Sequence, residues 1–277
     1  CDRIIRVTGP MGDFYNYVNG EWLESVEVGD EAPVWSDSIS IGHQVNDEIS
    51  DIIFSLYRRH YNDGENFAED SVEKRIINVY SAAANQGYRD KIGFKPVSEQ
   101  LEAIDRAENL TELLSVMASL NRLGFPTLVA ATLDVNVYDT SMYLPSCTIG
   151  YTGFEQTSES YADEYREYIS ALFKLAGEEN PQAFAKAATE ICLKLSLADR
   201  EQDTQISNSV TVYDIKEFKK VFKNIDIQEY FKKLGFEKAK KVLVYNKARL
   251  DVADGIFVKE NLNGLKAYLK AAVLDYS

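Results

Sequence analysis

Apolar residues recur at helical spacing along most of this chain, and that recurrence limits the fold more than any other feature. Between about Ile39 and Tyr61 they are Ile41, Val45, Ile49, Ile52, Ile53, Leu56 and Tyr57, which share one side of a helix. Asn62-Asp63-Gly64 supplies its stop. A second helix is predicted over about Ala68 to Asn85, with Val72, Ile76, Val79, Tyr80 and Ala83 on one face and Gly87 just beyond. Pro96 suits the first turn of a third, reaching about Ala107. Asn109 caps a fourth that ends at Gly124; Asn109-Leu110-Thr111 is formally a glycosylation sequon, but a cap explains it better. Further helices are expected over Ser158 to Ala176, Gln182 to about Arg200, from a Thr211 cap, from Asp226 to Gly235, over Asn246 to Val258 and over Asn261 to Tyr276.

The period changes after Pro126. LVAATLDVNVYD and MYLPSCTIGYTG are rich in β-branched and aromatic residues, with turn-like residues Asn136 to Ser141 between them. Lys241 to Tyr245 reads as a short extended piece. The expected fold class is therefore mainly α: a multi-helix domain of about ten helices with one small β element.

One stretch stands apart. DFYNYVNGEWL, Asp13 to Leu23, packs Phe14, Tyr15, Tyr17, Val18, Trp22 and Leu23 into a single short segment. Asp13 can cap a helix there, and Asn19-Gly20 can end it. A helix that short is unstable alone, so its aromatics need a surface to bury against. It is either a tether on the chain's own core or a docking piece whose partner surface is not wholly within these residues. Residues 1–38 are accordingly expected to form a docking segment and acidic loop, with Trp35 as an anchor, and 39–277 a helical domain.

Charge and composition exclude several function classes. The net charge of −14 over 277 residues would repel a nucleic-acid backbone, so no nucleic-acid partner is expected. Lys219-Lys220 and Lys240-Lys241 are isolated basic pairs, not a footprint. A hydrophobic content of 45% is that of a globular chain, and no run reaches bilayer-spanning length. Cys1 leaves open a lipid-modified terminus outside the cytoplasm, and nothing excludes a cytoplasmic location.

Residues able to do chemistry are sparse in pattern. His43 and His60 have no neighbouring ligand motif, and no HExxH occurs. Cys147 and Cys192 read as reduced packing residues. Acid pairs such as Asp47-Glu48 and Glu178-Glu179 are uninformative among 44 acidic residues. The row Tyr161, Tyr165, Tyr168 is read as half-buried helix packing. No catalytic, cofactor-binding or metal-ligating residue is assigned within the chain.

DFYNYVNGEWLES (13–25) resembles the opening of the neprilysin-like zinc endopeptidases, and the similarity continues in order. It runs through GYRDKIGFKP (87–96), LNRLGFPTLVAATLDVNVYDTSMYL (120–144), YADEYREYISALFKLAG (161–177), NSVTVYDIKEF (208–218) and LNGLKAYLKAAVLD (262–275). The resemblance implies the N-terminal, lid-forming portion of such an enzyme, of the bacterial oligopeptidase O type. It implies zinc held by a C-terminal catalytic domain of the same polypeptide, absent from this chain, and peptide substrates enclosed in a chamber. Two positions depart from the pattern: Val34 stands where the family has a substrate-binding arginine, and Asn19 where the animal enzymes have a disulfide cysteine. Two other readings stand beside it. One is a free-standing helical binding or scaffold protein derived from the family, without peptidase activity; the other is a carboxylate-based hydrolase. The chain's abrupt stop at Asp275-Tyr276-Ser277 favours a fragment, which predicts an oversized uncovered apolar patch near Phe14 to Trp22.

Overall fold

A computed structural model describes residues 9–26, 34–150, 153, 159–200 and 210–277. Cys1 lies outside them, as does most of the acidic loop after α1. The chain divides into two compact units, 1–89 and 90–277. Among the described residues there are twelve α-helices, two short 3-10 turns and one four-stranded sheet. The fold is mainly α with a small β element, as the periodicity predicts.

The first unit holds α1 (Phe14–Ser25), α2 (Asp37–Tyr61), α3 (Val72–Ala84) and the start of α4 (Gln86–Ile92). Asp13 caps α1 by accepting from Asn16 N at 3.0 Å, as its position implies. The helix does not stop at Asn19-Gly20. Asn19 donates its side-chain amide back to Tyr15 O, Gly20 is buried, and the helix continues until Val26 N bonds Trp22 O. Gly20 keeps a right-handed backbone, so the freedom that lets glycine end a helix goes unused. Ser36 caps α2, and Gly64 at φ +73° follows its end. Phe54 and Tyr57 of α2 meet Tyr80 of α3 edge-on, and Tyr61 Oη lies 3.0 Å from Ser81 Oγ. On α3 the buried residue is Ile77, while the expected face residues Val72 and Val79 are exposed.

The second unit contains the hydrophobic core, every member of which lies between Val97 and Leu274. After Lys95–Val97, a 3-10 turn carrying Pro96, α5 (Ser98–Arg106) leads to α6 (Leu110–Arg122). Asn109 caps α6 from its Oδ1, and Glu112 answers by accepting from Glu108 N at 2.7 Å. Gly124 at φ +90° closes α6, with Phe125 N returning to Leu120 O. The same ending recurs at Gly177 after α7 (Glu159–Leu175) and at Gly235 after α10 (Ile227–Lys233). Pro181 opens α8 (Pro181–Arg200), which packs with α7 and with α12 (Leu262–Asp275). Residues Leu265 to Leu274 of α12 are buried with the exception of Lys266, so this helix is the axis of the unit.

The sheet runs in the order β1-β2-β4-β3. Strands β1 (Ala130–Val135) and β2 (Tyr143–Thr148) lie where the sequence leads to a small β element, and they pair antiparallel. Strand β3 (Thr211–Asp214) pairs antiparallel with β4 (Lys241–Val244), which lies parallel to β2. Thr211 therefore begins a strand and does not cap a helix. Its Thr-Val-Tyr run suits a pleated surface, and the cap role falls to Asp214, which accepts from Lys216 N at the start of α9 (Ile215–Phe218). Asp226 caps α10, and Asn246 caps the remaining helix, α11 (Lys247–Ile256).

Candidate functional site

The histidines are engaged separately. His43 stacks on Trp35 with ring centroids 5.2 Å apart, which gives the loop anchor its partner. His60 Nδ1 lies 2.8 Å from Glu65 O, and its ring stacks on Phe67. Among the described residues no group of three or more His, Cys, Asp or Glu side chains could hold a metal ion. This donor set does not fit zinc. Cys147 and Cys192 are buried free thiols. Desolvation raises both above the ordinary thiol range, Cys192 to about 12, so neither is a ready thiolate nucleophile. Asp47 and Glu48 are exposed on α2. Within the tyrosine row Tyr165 is buried, whereas Tyr161 and Tyr168 are exposed. Tyr168 donates to Asp275 Oδ1 at 2.7 Å, and that carboxylate lifts the phenol to about 12.

A charged cluster joins three elements of the second unit, and no sequence motif marks it. Lys270 of α12 has a side chain only 3% exposed. Its ammonium donates to both Asp105 carboxylate oxygens, at 2.9 and 3.1 Å, meets the Glu178 carboxylate, and lies 5.3 Å over the Phe184 ring. One turn earlier, Lys266 donates to Asp105 O and Ala107 O at 2.7 and 3.0 Å, satisfying carbonyls at the end of α5. A cleft of about 350 Å³ lies alongside, lined by Asp105, Phe184, Ala187 and Asn263 among others. Lys266 and Lys270 stand at i, i+4 in a largely apolar helix, but their partners lie far away in the chain, so the pair alone does not reveal the cluster.

Two further polar junctions fix backbone. Asp254, which is buried, accepts from the backbone N–H groups of Lys223, Asn224 and Ile225 at 2.8, 3.0 and 2.8 Å. Tyr230 donates to Val129 O at 2.5 Å, and Thr127 Oγ1 donates to the same carbonyl. These contacts hold the entry to β1 against α10. Their ligands are all internal, so they serve shape.

Exposed apolar residues gather on the hairpin and on the first unit, with Leu123, Leu175 and Tyr276 exposed singly elsewhere. Leu133, Val137, Tyr138, Met142 and Tyr143 expose apolar area on the β1–β2 hairpin. Its free edge is partly closed: Ala131 N donates to Asn121 Oδ1 and Val135 N to Asp134 Oδ1, so two of the N–H groups a new strand would use are already satisfied. In the first unit, Phe14, Tyr15, Tyr17 and Val18 of α1 are exposed, as is Val34. Along α2, Ile41, Val45, Ile49 and Ile52 are 60%, 46%, 49% and 58% exposed. Leu56 and Ile77 are the only buried hydrophobic residues among the described part of 1–89.

The first unit thus carries an exposed apolar helix face, and the second a buried core. The sequence pattern of peptidase family M13 matches residues 10–277, so the chain belongs to that family, as an N-terminal portion of a neprilysin-like member. Among its relatives are a zinc metalloproteinase encoded 5' of scaA in Streptococcus gordonii, 21% identical over 276 residues, and a neutral endopeptidase of Lactococcus lactis, 23% identical over 283. Each alignment covers 95% of this chain but only 48% and 43%, respectively, of the relative. The fold is shared with the zinc metalloprotease ZMP1 of Mycobacterium tuberculosis in its open state, at a TM-score of 0.72 and 18% identity, covering 96% of this chain and 42% of that one. PepO from Lactobacillus rhamnosis gives a TM-score of 0.59 at 14% identity, covering 97% and 43%. The chain spans less than half the length of these relatives.

Proposed function

We propose that this chain is the non-catalytic N-terminal portion of a zinc metalloendopeptidase, walling the chamber in which peptides are cleaved. The observation that carries the reading is the family match over residues 10–277 of a chain that spans only 42–48% of its relatives. The chain's own residues then supply enclosure and orientation. The metal would be bound by the C-terminal portion of the same polypeptide, since the donor set described here does not fit it. Peptides would be the substrates, and the excess of acidic residues, 44 against 30 basic, would favour basic ones if it extends to the chamber wall.

The test is a quenched peptide assay on this chain and on the full-length product of its gene, each with and without a chelator. Cleavage by the full-length product alone, abolished by chelator and restored by zinc, is the expected result. Chelator-sensitive cleavage by residues 1–277 alone would contradict the proposal. A gene that encodes no further domain, with no cleavage by its product, would favour the free-standing scaffold.

A further inference from the structure

The first unit lacks the burial that would hold it together. Its α2 is a 25-residue helix in which Leu56 is the single buried residue. Helices gain most of their stability from packing an apolar face, so a helix of this length with its stripe in water is incomplete. Leu56 continues the stripe of Ile41, Val45, Ile49 and Ile52 and is the one member of that face that is buried, while the aromatic contacts to α3 lie elsewhere on α2. Phe54, Tyr57 and Tyr61 meet Tyr80 or Ser81 of α3. At about 100° per residue, the stripe Ile41–Val45–Ile49–Ile52 centres roughly 160° from that side, nearly opposite α3. One border of the stripe carries the acidic Glu48. Glu48 makes no ion pair among the described residues, although it accepts from Gln44 Nε2 at 3.0 Å.

What covers the stripe is indicated by length. The chain spans 42–48% of its relatives, so more than half of a family polypeptide lies outside it. We infer that the Ile41–Ile52 stripe is the seat of the C-terminal portion of the same polypeptide, presenting an apolar surface bordered by lysine or arginine, and that residues 9–89 close their core only when that portion is seated. This rests on the proposed function for the existence of the partner, and goes beyond it in naming the surface and the coupled ordering. The second unit needs no such help, because its core is continuous and already buried.

Amide hydrogen exchange on the 277-residue chain and on the full-length product tests the inference, with the peptide assay run on the same samples. In the chain alone, α2 amides exchange fast while those of α12 are slow. In the full-length product, amides between Val45 and Leu56 slow by about 100-fold or more, and α12 is unchanged. Ile49→Asp in the full-length product removes most of that protection from α2 and spares α12; Glu48→Lys reduces it at low salt. Equal protection of α2 in both proteins overturns the inference, as does protection that Ile49→Asp leaves intact. So does an α2 face occupied otherwise: a dimer of the chain alone, or binding to phosphatidylglycerol vesicles, that Ile49→Asp abolishes. A full-length product that protects α2 yet shows no chelator-sensitive cleavage sinks the peptidase reading and leaves this one standing. Cleavage without α2 protection does the reverse.

Discussion

Replacing Lys270 by methionine tests the account of the second unit most directly. The ammonium sits in a side chain 3% exposed, between the carboxylates of Asp105 and Glu178, whose side chains are 53% and 19% exposed. Removing one member of a buried charge pair costs about 3–5 kcal/mol, because the other member is left desolvated. Asp105 is half in water and recovers its solvation, so its share is small. Glu178 is not, and it carries most of the loss. The expected destabilisation is therefore about 3 kcal/mol, at the low end of that range. For a unit of this size it lowers the melting temperature by roughly 6–12 °C. Differential scanning calorimetry and urea titration at pH 7 measure it, with the urea m value unchanged. Adding Glu178→Gln to Lys270→Met should return about 1–2 kcal/mol, since a neutral amide tolerates the site better than an orphaned carboxylate. A single-variant shift under about 2 °C, or no recovery in the double variant, would refute the claim that the cluster is held by charge and not by methylene packing.

Three other perturbations follow from the geometry. Asp254→Ala strips the acceptor from three backbone N–H groups, and should cost about 2–4 kcal/mol with faster amide exchange confined at first to residues 223–225. Gly150→Ala would put a Cβ 2.5 Å from Thr127 O and 2.7 Å from Thr127 N. It should cost about 3 kcal/mol in chemical denaturation, whereas Gly124→Ala, which meets nothing within 4 Å at φ +90°, should cost only about 1 kcal/mol from backbone strain. The Tyr168 phenol is raised to about 12 by Asp275, so its bond stabilises fully below the unfolded value near 10 and is lost as pH rises towards 12. Tyr168→Phe should therefore be about 0.5 kcal/mol less stable than the parent at pH 8, and the gap should narrow above pH 10; the value is small because the pair is exposed.

The signals that were legible in the sequence are those whose cause lies within a turn or two of the residue. Asn109 caps through an N–H three residues on, Gly124 ends a helix by its own backbone, and Pro181 opens one for want of a donor. Local signals also misled. Gly20 was free to end α1 and did not, with Asn19 turning back to Tyr15 O, whereas Thr211 was free to cap and instead pairs with Val244, 33 residues away. Lys270 shows the limit more sharply: its partner Asp105 lies 165 residues earlier, and no spacing within α12 could reveal it. The period of Ile41, Val45, Ile49 and Ile52 is a case of another kind. A 3.6-residue repeat states that a face is apolar, and is silent on what covers it. For α8 and α12 the cover is in the chain, and the repeat reads as core. Along α2 the same repeat is left in water, so identical local information yields a packed helix in one unit and an unfinished one in the other. The difference must come from residues beyond those that carry the pattern, and a family whose other members run to more than twice this length is where such residues would be found.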